Sequence, residues 1–114
     1  MSFFPPTSGS GASPLKAWVN FNGQGAIAIR NSSNVSSITD RGTGQYTVNF
    51  NTALSTADYL AHVTSSNLAG TTDPRGTFVA NNIPPTTTAV AVQTNDNTGN
   101  AFDFPFVFVS AFIQ

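Results

Sequence analysis

The chain has 114 residues, which is room for one domain built around one modest hydrophobic core. Only 8% of its residues are charged, against a usual share of about 25%, and with a net charge of -1 it carries no basic patch for a nucleic-acid backbone or a membrane surface. The absence of cysteine excludes disulfides, thiolate zinc sites and thiol catalysis, while ten phenylalanines argue against disorder.

Residues 1–14 read as an extended N-terminal arm ahead of a single domain over 15–114. Pro5-Pro6 favours an extended backbone, and Ser8-Gly9-Ser10-Gly11 has flexible-linker chemistry. Phe3 and Phe4 at its tip gain nothing by facing water, so Phe3, Phe4, Pro5 and Pro6 are expected to dock on a neighbouring subunit.

From Leu15 onward strand and turn signals alternate. Over 16–22, Ala17, Val19 and Phe21 share one side, and Trp18, Asn20 and Asn22 the other. Asn22-Gly23-Gln24-Gly25 is a hairpin turn, after which 26–30 alternates again with Ile27 and Ile29 inward. A short strand over 35–39 leads into a turn at Asp40-Arg41-Gly42-Thr43-Gly44. The next strand, over 45–51, places Tyr46, Val48 and Phe50 on one face. Residues 55–59 have the composition of a single helical turn before a strand over 59–64. A polar loop over 70–76 contains Asp73-Pro74-Arg75, 77–80 and 88–94 are β-branched strands, and Asn95-Asp96-Asn97-Thr98-Gly99-Asn100 is an exposed turn. No segment sustains an apolar 3.6-residue period, so about eight short strands predict an all-β, antiparallel sandwich or jelly-roll-like fold.

The C-terminal segment is apolar on both faces. Phe102, Phe104, Phe106, Phe108 and Phe112 fall on one parity, with Ser110 as the gap, and Pro105, Val107, Val109, Ala111 and Ile113 on the other. Such a strand needs two packing partners. One arrangement buries it centrally under a second sheet of the same chain. The small size and low charge favour the other, a subunit interface formed by Phe104, Phe106, Val107, Phe108, Val109, Phe112 and Ile113.

Residues that could carry catalysis are sparse. His62 is the only histidine and falls with Leu60 on the side opposite Tyr59, Ala61 and Val63. With no glutamate, a carboxylate pair has to come from Asp40, Asp58, Asp73, Asp96 and Asp103, and turns or strand ends account for all five. The 95–100 turn offers oxygen atoms but no closing glutamate for a calcium loop, and Gly23-Gln24-Gly25 and Gly42-Thr43-Gly44 lack the lysine and helix of a phosphate loop. The Asn31 and Asn34 sequons are common by chance in an Asn- and Ser-rich chain, and Trp18 reads as core before it reads as a sugar platform. No enzyme activity, metal or cofactor is expected.

One stretch carries a resemblance. Lys16-Ala17-Trp18-Val19-Asn20-Phe21-Asn22-Gly23, Asn34-Val35-Ser36-Ser37-Ile38-Thr39-Asp40, Gly42-Thr43-Gly44 and Tyr46-Thr47-Val48-Asn49-Phe50 closely resemble a module of tailed-bacteriophage fibre proteins, frequent in phages of cyanobacteria, over residues 16–54. The resemblance implies a trimeric, β-rich virion surface protein, made in the host cytoplasm without a signal peptide. Met1 stands 15 residues before Lys16, leaving no space for a fibre shaft. The expected function is therefore a trimeric capsid decoration (cement) protein in contact with the major capsid protein or another virion protein. The alternative is a short tail fibre or fibre tip that binds a host-surface glycan. A third reading, a glycan depolymerase, fails on size and on the missing glutamate.

Overall fold

The computed structural model describes residues 13–67, 76–80 and 82–114. The fold is all-β, with eight strands: β1 Leu15–Asn22, β2 Ala28–Ser33, β3 Val35–Gly42, β4 Gln45–Phe50, β5 Leu60–Ser66, β6 Gly76–Val79, β7 Ala89–Asn95 and β8 Phe106–Phe112. They form two four-stranded antiparallel sheets, β2-β1-β8-β5 and β3-β4-β7-β6, packed face to face as a β-sandwich.

Sequence patterning sets which side of each strand is buried. In β1, Ala17, Val19 and Phe21 point into the sandwich, and in β4 Tyr46, Val48 and Phe50 do the same, as alternation predicts. Val90 and Val92 of β7 and Val107, Val109 and Ala111 of β8 complete the layer. The Phe21 and Tyr46 rings meet edge to face at 5.1 Å, and those of Phe50 and Tyr59 at 5.8 Å.

Asn34 alone carries the chain from β2 in one sheet to β3 in the other, with a φ of 57° that asparagine tolerates better than most residues. Its side-chain amide donates to the carbonyls of Lys16 and Thr52, while its Oδ1 accepts from the Thr52 amide. The corner is thereby fixed to both sheets, and the amide nitrogen that a glycan would need is engaged. At the opposite side β5 and β6 lie against each other.

Three local expectations differ from the structure. Residues 55–59 form bends instead of a helical turn, because Tyr59 is drawn into the core and its hydroxyl donates to the carbonyls of Thr86 and Ala89. Ile29 is 38% exposed, since β2 is an edge strand with little of the opposing sheet over it. The alternation read from Phe102 through Phe112 breaks at Pro105. Residues 102–105 cross between the sheets outside any strand, and Pro105 has no N–H for a ladder. Phe104 is therefore fully buried, although β8 turns Phe106 and Phe108 the other way.

Candidate functional site

β8 is a central strand, so both of its faces matter. The inner one carries Val107, Val109 and Ala111 and is covered by the second sheet. The outer one carries Phe106, Phe108, Ser110 and Phe112, with Phe108 38% exposed. Register brings side chains of three further strands beside this row. Trp18 of β1 and His62 of β5 lie directly across from Ser110 on either side. Asn20 and Thr64 flank Phe108 in the same way, and Leu60, 59% exposed, lies beside Phe112.

A β-bulge adds to this face. Between Asn20 and Phe21 the register slips, leaving Arg30 as the extra residue on β2. Its guanidinium lies 4.3 Å from the centre of the Phe106 ring and reaches the Asn20 amide oxygen at 3.4 Å. The Phe106 and Phe108 rings stack at 6.3 Å, and the His62 ring meets Phe112 edge-on at 6.0 Å.

Between these rings Ser110 leaves a depression. A groove of about 430 Å³ opens to solvent, lined by Trp18, Asn20, His62, Thr64, Phe108 and Ser110. Trp18 and His62 stand on strands either side of β8, so its walls are two strand spacings apart, roughly 9–10 Å, wide enough to admit one aromatic ring. The outer face of the other sheet is different in character. Ser37, Thr39, Thr47, Asn49 and Gln93 share it, and Asn49 donates to the hydroxyls of Ser37 and Thr39.

The residues expected to form a subunit interface are thus divided. Phe104, Val107 and Val109 belong to the core, and Ile113 is half-buried against it. Phe106, Phe108 and Phe112 face outward. Phe3, Phe4, Pro5 and Pro6 lie outside the described residues. Trp18, Leu60, His62 and Arg30 complete the outer face. Trp18, a residue that reads as core in the sequence, instead stands on the outer face, because Ala17, Val19 and Phe21 take the inner side of β1, and no local signal tells that β1 and β5 flank β8.

Among the described residues, the carboxylates of Asp40, Asp96 and Asp103 accept hydrogen bonds. Asp96 accepts bonds from the Thr98 hydroxyl and from the Thr98 and Asn100 amides, which hold its carboxyl below the usual range. Asp40 caps the Gly42 amide. Asp103 departs from the expectation of purely local bonding: its Oδ1 accepts from the Gly44 amide at 2.7 Å and the Tyr46 hydroxyl at 2.6 Å, across the sandwich end. Burial, reinforced by Asp103, pushes the Tyr46 phenol well above its ordinary value. Among the described residues no three His, Cys, Asp or Glu side chains converge on a metal-sized site.

Comparison with protein-family models, with curated proteins and with solved structures finds no match to this chain.

Proposed function

We propose that this chain is a non-catalytic structural subunit of a tailed-phage virion, a capsid decoration protein that forms trimers on the outer shell and contacts the major capsid protein or another virion protein. The observation that carries the reading is the contrast between the two outer faces of the sandwich. One is polar over β3 and β4, where Ser37, Thr39, Thr47 and Asn49 face outward, and the other presents Trp18, Leu60, Phe106, Phe108 and Phe112 together around a groove. Contiguous apolar surface of this kind, with little charge to desolvate, is the signature of a contact surface. His62 has an aromatic neighbour in Phe112, which suits a contact residue better than a base oriented by a carboxylate. The particle itself comes from the resemblance of residues 16–54 to tailed-phage fibre modules.

Two measurements test the reading. Sedimentation of the purified chain is expected to give three times the 11.9 kDa protomer, and a monomer at every accessible concentration overturns self-association. Cryo-electron microscopy of the particle is expected to place hundreds of copies at capsid three-fold positions. A handful of copies at the tail would instead establish the fibre alternative.

A further inference from the structure

Four strands of about seven residues span roughly 450 Å² in projection, and the N-terminal segment joins this face at one end of β1. The Pro14 carbonyl accepts a bond from the Ile113 amide, so the β1–β8 ladder runs on past Leu15. The backbone therefore leaves the sheet along the strand axis, away from the groove at Trp18 and Ser110, which lies in the opposite direction along β1.

We propose that Phe3 and Phe4 of one copy fill the Trp18–Ser110–His62 groove on a neighbouring copy. Ten Cα-to-Cα steps separate Phe4 from Pro14, a reach of about 33 Å when extended. Pro5 and Pro6 limit the conformations the tip must surrender on docking, while Gly9 and Gly11 allow the change of direction between copies. No side chain in residues 1–12 is charged, and Trp18, Asn20, Thr64, Phe108 and Ser110 are neutral, so an aromatic ring enters without stripping water from an ion pair. The slot matches one ring in width, Trp18 and His62 supplying walls and Ser110 the floor. Donor and acceptor surfaces differ, so three copies that each pass the arm to the next close a ring in which every groove is filled. This inference deepens the self-association proposed above and rests on it.

Trp18 is the only tryptophan, so its fluorescence reports on the groove without a label. The full chain is followed by sedimentation and by emission over a concentration series, beside the full-length Phe3→Ser/Phe4→Ser variant. The wild-type chain is expected to associate, with Trp18 emission moving to shorter wavelength in step. The variant is expected to weaken association a hundredfold or more, as the loss of two buried phenyl rings requires. Ser110→Leu, which fills the floor from within, is expected to weaken it comparably while leaving the thermal midpoint of the dilute protein unchanged. If the variant lacking both phenylalanines associates as tightly as wild type with the same emission change, the arm inference falls while self-association stands. If the wild type stays monomeric throughout, the functional reading falls with it. A Trp18 shift that depends on Phe3 and Phe4 but not on concentration means the arm folds onto its own sheet, and overturns the exchange between copies.

Discussion

Phe104 and Phe108 lie on the same sequence parity, yet their truncation should have opposite consequences. Phe104 is fully buried, with its ring 4.8 Å from that of Phe102 and its carbonyl bonded to the Gly23 amide. Phe104→Ala removes the ring and leaves a cavity that the surrounding strands cannot close, a cost of about 3–5 kcal/mol. At about 4–8 °C per kcal/mol for a domain of this size, the melting temperature should fall by roughly 12–40 °C. Phe108 is 38% exposed and stands at the rim of an open groove. Phe108→Ala forfeits about two-thirds of a phenyl burial and creates no enclosed void, so in dilute solution it should cost only about 1–2 kcal/mol. Urea denaturation at a concentration where the chain is monomeric measures both, with the midpoint read at constant slope. Repeating the experiment at high concentration adds the assembly term: the Phe108→Ala penalty should grow, because a folded state that associates is stabilised by mass action, whereas the Phe104→Ala penalty is set within one copy. Equal penalties for the two variants in dilute solution would refute the break in alternation at Pro105. A Phe108→Ala penalty independent of concentration would refute the assignment of the outer face to assembly.

Four further predictions concern the polar contacts and one tight turn. Tyr46→Phe removes the 2.6 Å bond to Asp103 and should cost about 2 kcal/mol by thermal melting, with wild-type stability regained if the bond is dispensable. Burial also raises the phenols of Tyr46 and Tyr59, so the folded state holds protons that the unfolded chain releases above about pH 10; stability should decline as pH rises past that point, less steeply in Tyr46→Phe, and an equal slope would contradict the burial. Gly44→Ala should destabilise by about 3 kcal/mol, since φ is 66° and the new Cβ would stand 2.5 Å from the Thr94 carbonyl oxygen and 2.7 Å from the Phe102 nitrogen, both backbone atoms. Asp96, held low by the Thr98 hydroxyl and the amides of its turn, contributes order that is complete above the ordinary carboxylate pKa of about 3.9 and lost as pH falls through its lower folded value. A carboxyl-carbon NMR titration should place its midpoint below that value, and a midpoint at the ordinary position would mean the turn bonds are not formed in solution.

Much of the fold was legible in the residues because burial by one sheet face imposes a period of two. That period is visible in Ala17-Val19-Phe21, Tyr46-Val48-Phe50 and Val107-Val109-Ala111, and turn residues marked most strand ends. It failed where the backbone left the ladder. Pro105 reset the parity, so an unbroken count placed Phe104 on the outer face when it is core. The outer surface was only half visible. Apolarity on both faces of β8 announced a second contact, but a lone tryptophan in a strand reads as core, and nothing local joined Trp18 to that outer face.

By itself the sequence determined the all-β class, the inner face of most strands, the lack of charge and of thiol chemistry, and the presence of a strand apolar on both sides. These are matters of composition and of near neighbours along the chain. Only the tertiary structure decided which strands lie side by side. By setting β1 and β5 on either side of β8, it brought Trp18, Ser110 and His62 into one row from three distant parts of the chain. Strand adjacency between remote segments is chosen by the closing of the whole sandwich, and no single segment records it.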